Sequence, residues 1–169
     1  MTTPPDAAIV VRPALPEEWD RAGQVCVAAY DAAGQLEPGS PYVAVLADAA
    51  GRARDSIVLV AVRGGSVEGT VTICPPGSAS REIGGPDEAE FRFLAVDPAA
   101  WGRGIGAALV AAVEAHARAT GAQALAICVR DTNASAALMY ERMGFVRDPD
   151  RDWTPRPDVH LLALRRPLP

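Results

Sequence analysis

Two periods of apolar residue alternate along the chain. Ala8–Arg12 (AIVVR), Ile57–Arg63 (IVLVAVR), Val67–Cys74, Glu90–Val96 (EFRFLAV) and Ala124–Arg130 (ALAICVR) are apolar runs of strand length, and they predict strands. Phe145–Val146 and His160–Arg165 (HLLALR) predict two late strands. Glu17–Tyr30 instead repeats at helical spacing, with Trp19, Ala22, Cys26 and Ala29 on one face. Pro16 and two glutamates suit the start of that helix. A second helix is predicted over Tyr42–Arg54. A third runs from a glycine-rich turn to about Thr120, with Ile105, Leu109, Val113 and His116 at helical spacing. A short fourth covers Asn133–Met143, with Gly144 where a left-handed residue closes a helix.

Turn-forming residues separate these elements at Asp31–Pro41, Gly64-Gly65 and Pro75–Asp87, and in an Arg/Asp/Pro loop that contains Trp153. No internal repeat or interdomain linker interrupts the series. The expectation is one α/β domain over residues 1–169, with a loose Thr-Pro start over residues 1–7.

Composition narrows the class. Apolar residues make up 49% and charged residues 22%, which excludes a disordered, collagen-like or coiled-coil chain. Lysine is absent and all 16 basic residues are arginine, yet the formal charge of −5 argues against a nucleic-acid partner. Cys26, Cys74 and Cys128 lie far apart with no CxxC pair, and His116 and His160 lack neighbours at ligand spacing. No metal site or disulfide framework is therefore expected, and a reducing cytoplasm fits. Met1–Arg12 does not read as a signal peptide, and no run of about 18 apolar residues predicts a membrane span.

The chemistry concentrates after the strand Glu90–Val96. Asp97-Pro98 ends it, and Trp101-Gly102-Arg103-Gly104-Ile105-Gly106 leads straight into a helix. A helix N-terminus exposes about four unpaired N–H groups and roughly half a positive charge, so it attracts anions. Glycines at 102, 104 and 106 let a phosphate approach the backbone, Arg103 adds a cation, and no acidic residue follows until Glu114. A tight strand-to-helix corner would also use such glycines. A P-loop is excluded because there is no lysine, and a dinucleotide fold would place its glycines after the first strand.

Leu94-Ala95-Val96-Asp97-Pro98, then Gly102-Arg103-Gly104-Ile105-Gly106, then Asn133 and Met139-Tyr140-Glu141-Arg142-Met143-Gly144-Phe145 together resemble the GCN5-related N-acetyltransferase (GNAT) superfamily. The detail matches mainly over Glu90–Phe145, the order of elements from Ala8 to Arg166. There are two departures. Trp101 stands where the acetyl-CoA motif commonly has Arg or Gln. Cys128 stands where the branch acting on ribosomal-protein N-termini has a catalytic glutamate.

The resemblance implies a mixed, partly antiparallel sheet flanked by helices and splayed between the strands Glu90–Val96 and Ala124–Arg130. It implies acetyl-CoA as cosubstrate and no metal. Main chain of Leu94, Ala95 and Val96 would pair with the pantetheine arm, and Gly102, Arg103, Gly104, Ile105, Gly106 and Ala107 would hold the pyrophosphate. Asn133, a helix N-cap by position, would also touch the pantetheine arm. Tyr140, two helical turns on, would protonate the departing thiolate; a core-edge tyrosine is the plainer reading. Glu90 would take the proton of the acceptor amine, directly or through water, with Glu68 and Glu82 as alternatives and a solvated strand-end glutamate as the plainer reading. Cys128 reads as a small buried residue and His116 as an ordinary helix residue. The acceptor lip would come from Asp31–Pro41, Pro75–Asp87 and Pro149–Asp158, and Trp19, Tyr42 and Trp153 line it or simply pack. The acceptor class is a small amine or a peptide N-terminus, and many relatives form homodimers. A non-catalytic acyl-CoA-binding module and an enzyme using a longer acyl donor are the competing readings.

Overall fold

Strand β1 (Ile9–Pro13) pairs antiparallel with β2 (Ile57–Arg63), and β2 turns at Gly64-Gly65 into β3 (Ser66–Cys74). The computed structural model describes residues 7–169, so the loose start expected over 1–7 lies, except for Ala7, outside the described residues. β3 pairs antiparallel with β4 (Glu88–Val96), and β4 pairs in parallel with β5 (Ala124–Arg130). Antiparallel pairing resumes from β5 to β8 (Val159–Pro167), which also carries β6 (Val146–Arg147) and β7 (Trp153–Arg156). Among the described residues the result is one eight-stranded mixed sheet. β7 falls in the stretch expected to be loop, where it forms a hairpin arm with β8.

Helices cover both faces. On one side α1 (Trp19–Ala32), α2 (Tyr42–Ala47) and α3 (Ala49–Arg52) bury Val25, Cys26 and Leu46 against Phe93 and Ala95, and Ala22 and Ala49 against Val60 and Val67. On the other, α4 (Ile105–Ala119) and α5 (Ala134–Arg142) bury Ile105, Leu109, Val113 and Tyr140 against Leu59, Val71, Phe91, Leu125 and Ile127. Alternate residues of one strand thus serve two cores, which is why IVLVAVR is apolar throughout rather than every second residue. The helix expected over Tyr42–Arg54 is broken at Asp48. Its backbone leaves the helical region (φ −86°, ψ 62°) and its carboxylate accepts the Gly51 N–H at 2.8 Å. A short acidic side chain competes well for such backbone donors.

Two irregularities in β4 shape the site. Thr70 and Thr72 of β3 face Ala95 and Arg92, so β4 carries one extra residue there. Phe93 takes up that bulge with φ of +56°. As a result Phe91 faces the α4–α5 core, while Phe93 faces α1. The guanidinium groups of Arg52 and Arg92 lie over the Phe93 ring at 4.3 and 4.5 Å and hold it there. The second irregularity is the parallel pairing itself, which runs only from Glu88–Ala124 to Glu90–Ala126. Beyond Glu90 the two strands part, leaving an opening between residues 91–96 and 127–130.

Candidate active site

At the far end of the opening β4 runs into the glycine turn. Asp97 accepts the Ala99 N–H at 3.0 Å and pairs with Arg21 at 2.5 Å, which fixes the exit of the strand. Gly102 and Gly104 have φ of +77° and +79°, and a Cβ at either would meet nothing within 4 Å. These glycines answer a left-handed backbone, not crowding, and they face open space. Gly104 caps α4 without a side-chain acceptor. The first helical bond runs from the Ala108 N–H to the Gly104 carbonyl, so the N–H groups of Gly104, Ile105, Gly106 and Ala107 precede it. Arg103 is exposed beside them. An open cluster of donors with a cation suits a pyrophosphate in charge and in access.

Trp101 is anchored to the strand it follows. Its indole N–H donates to the Val96 carbonyl at 2.8 Å, tying the turn to the end of β4, while 51% of the residue stays exposed. Leu94 and Val96 pack partly into the α4–α5 core and Ala95 is buried towards α1. Asn133 is the N-cap of α5, its side chain accepting the Ala136 N–H at 3.2 Å. Tyr140 is 3% exposed and stands edge-on to Phe91 and Phe145, with ring centroids 6.0 and 5.4 Å away. Burial alone pushes its phenol pKa well up, so the group holds its proton.

On the α1 side the opening is lined by polar groups. Glu82 forms an ion pair with Arg92 at 2.7 Å. Tyr30 and Tyr42 stand with ring centroids 6.2 Å apart, and burial raises both phenols. Cys128 faces the same space from β5, next to the Trp153 indole. Burial lifts its thiol to about 12, so it stays protonated and is a poor nucleophile. Arg130, at the end of β5, donates to the Gln35 carbonyl at 3.2 Å and the Asp158 carbonyl at 3.4 Å, joining two of the expected lip loops. Trp19 packs away from this space, beside Ala22 and Val60.

Glu90 lies beneath the β3–β4 loop. It has no exposed surface, and its carboxylate accepts the backbone N–H groups of Glu82, Ile83 and Gly84 at 2.7, 2.9 and 3.4 Å. The loop of residues 82–84 folds over the carboxylate, so no part of Glu90 lines the surface of the opening. Glu68 pairs with Arg63 at 2.7 Å in the β2–β3 hairpin. Arg81 fastens the same loop through the carbonyls of Cys74, Gly85 and Glu88 at 2.8, 2.6 and 3.0 Å. Sequence reasoning passed over Arg92 and Tyr30. Arg92 carried a signal, as the one charged residue inside an otherwise apolar stretch of strand.

The Acetyltransferase (GNAT) family description matches residues 15–145. The chain belongs to the GNAT acetyltransferase family. A curated relative, mycothiol acetyltransferase from Geodermatophilus obscurus, is 38% identical over 73 residues; the match takes in 43% of this chain and only 22% of that protein. A GCN5-related N-acetyltransferase from Kribbella flavida is 26% identical with a TM-score of 0.67, covering 95% of this chain and 98% of that one. The PaiA N-acetyltransferase from Thermoplasma acidophilum, solved with coenzyme A, has the same fold at 14% identity and a TM-score of 0.75, over 95% and 99% of the two chains. Among the described residues no helix is long and apolar enough to cross a membrane, and no group of three or more His, Cys, Asp or Glu is placed to hold a metal.

Proposed function

We propose that this chain transfers the acetyl group of acetyl-CoA directly to a primary amine. The observation that carries the reading is the opening of β4 from β5, with the exposed donor turn at one end of β4. Acetyl-CoA supplies the acyl group as a thioester. The N–H groups at Gly104, Ile105, Gly106 and Ala107, with Gly102 and Arg103, hold the pyrophosphate. The main chain of Leu94, Ala95 and Val96, left without a β5 partner, takes the pantetheine amides as a further strand would, and Asn133 lies at the start of the helix beside it. Tyr140 donates its proton to the sulfur as the thiolate leaves. A phenol serves there because its proton stays on at neutral pH and is still acidic enough to stabilise a thiolate. The high pKa of Cys128 favours direct transfer over an acyl-cysteine intermediate.

The test is coenzyme A release, followed by thiol detection, with ethanolamine, putrescine, glycinamide and a peptide with a free N-terminus. Tyr140→Phe is expected to keep the rise in melting temperature caused by coenzyme A and to lose about 10²–10⁴-fold in turnover. Coenzyme A binding with no amine turned over would favour the non-catalytic module. Full turnover in Tyr140→Phe would show that solvent protonates the sulfur.

A further inference from the structure

We infer that Glu82 is the base that takes the acceptor's proton, and that Glu90 positions it by holding the loop that carries it. This rests on the acetyl-transfer reading. Three observations converge on it. First, Glu90 gives its carboxylate to the N–H groups of Glu82, Ile83 and Gly84, and has no surface to offer an amine. The bonds fix the backbone of Glu82 itself. Second, the Glu82 side chain leaves that loop towards Arg92, whose Nε pairs with Oε1 at 2.7 Å. Third, Arg92 lies on β4 two residues past the last β4–β5 pair, and Cys128 lies on β5 two residues past it. A carboxylate held by Arg92 and felt by the Cys128 thiol therefore sits at the parting of the strands.

The groups around Glu82 set its basicity. Arg92 and Glu90 face it from β4, Tyr42 from α2, Cys128 from β5 and Cys74 from β3, with Tyr30 of α1 beyond Tyr42 and Arg92. Burial raises its pKa, Arg92 opposes that rise and the Glu90 charge adds to it. A carboxylate above its ordinary range is a stronger base for an ammonium that must be neutral to react. In the step, the amine nitrogen bonds to the acyl carbon as the carbon–sulfur bond breaks. Glu82 takes the ammonium proton and passes it to solvent before attack. As the bond forms it takes the second nitrogen proton while the sulfur takes the Tyr140 proton, and the carboxyl proton then returns to the tyrosinate through solvent, so charge and protons balance.

The experiment compares Glu82→Gln, Glu82→Asp and Glu90→Gln with the wild type from pH 6 to 10. Turnover is measured with the fastest amine of the panel. Glu82→Gln is expected to lose about 10²–10⁴-fold in kcat/KM at neutral pH. That deficit should shrink as pH rises and more amine arrives neutral, and Glu82→Asp should recover part of the rate. Glu90→Gln should lower the rate without the recovery at high pH seen in Glu82→Gln, because it displaces the base and does not remove it. Loss of the Glu90 charge should also move the acid limb of the profile to lower pH. A deficit in Glu90→Gln that high pH relieves, with Glu82→Gln unaffected, overturns the assignment. A second readout needs no acceptor: carbon-13 titration of glutamate carboxyls should show one titrating above the ordinary range, missing in Glu82→Gln, and its persistence there also overturns the proposal. Failure of coenzyme A to stabilise the wild type would instead refute the cofactor reading beneath it.

Discussion

The two ends of β4 each carry a cluster of backbone N–H donors, and the clusters have opposite fates. At the Glu88 end, three donors of the β3–β4 loop close on a carboxylate from their own strand, which is fully buried by them. At the Val96 end, the donors at the start of α4 follow Gly102 and Gly104, where an added Cβ would meet nothing within 4 Å. Both use the same physics, oriented amide dipoles attracting an anion. The difference lies in who supplies the anion. A donor cluster satisfied from within holds the fold; a donor cluster left open on an exposed glycine turn is available to a ligand.

Emptying the closed cluster should give the largest effect. Glu90→Ala leaves three loop N–H groups without their acceptor, and each buried orphan costs about 1–3 kcal/mol. Allowing for some relaxation of the loop, the expected loss is on the order of 3–5 kcal/mol, or a drop of roughly 10 °C in melting temperature for a domain of this size. Scanning calorimetry without ligand reads this directly. A loss under about 1 kcal/mol would mean that water satisfies the loop and the two clusters do not differ in kind.

Filling the open cluster should do the reverse. Gly104→Glu puts a side chain and a negative charge where the phosphate is proposed to sit, and it strains a left-handed backbone. At a ligand concentration of about 100 Kd the wild type should gain roughly 2.7 kcal/mol from coenzyme A, and the variant should lose that gain. Its own unliganded stability should fall far less than that of Glu90→Ala, because nothing packs against the position. A retained coenzyme A shift would remove the phosphate from this turn.

The contrast between the clusters also marks where sequence reading succeeds. The glycine turn, the Asn133 cap and the helix bearing Tyr140 are local, and spacing exposes them because neighbours in sequence are neighbours in space. The role of Glu90 depends on a loop folding back from residues 82–84, and no period in the chain announces that. The same holds for the β4 bulge. EFRFLAV reads as a regular strand, yet one extra residue turns Phe93 to the α1 face and sets Arg92 beside Glu82. The break at Asp48 was legible in principle, since an Asp between short apolar turns favours a cap over continuing the helix. The mixed sheet, its parting at β4 and β5 and the flanking helices follow what the family resemblance implies; the hairpin of β7 and β8 does not.

The smallest expected effect probes the support behind the closed cluster. Glu88 accepts the Gly85 N–H at 2.8 Å in the same loop and pairs with Arg151 at 2.5 Å and Arg165 at 2.7 Å. Burial works against its charge, but the bonds from Arg151, Gly85 and Arg165 outweigh it, and its pKa lies below the ordinary value. A carboxylate with a lowered folded pKa adds stability that is fully present above its unfolded pKa, about 4.3, and is lost as pH falls through the folded value. Melting temperature plotted against pH should therefore show a gap between wild type and Glu88→Gln that is widest near neutrality and narrows below about pH 5. The coenzyme A shift at neutral pH should be the same in both, since Glu88 lies at the closed end of β4. Parallel curves down to pH 3 would mean that the two arginines hold Glu88 no better than water does. A changed coenzyme A shift would mean that the two ends of β4 are coupled, and that the loop around Glu90 helps to set the open turn as well as the base.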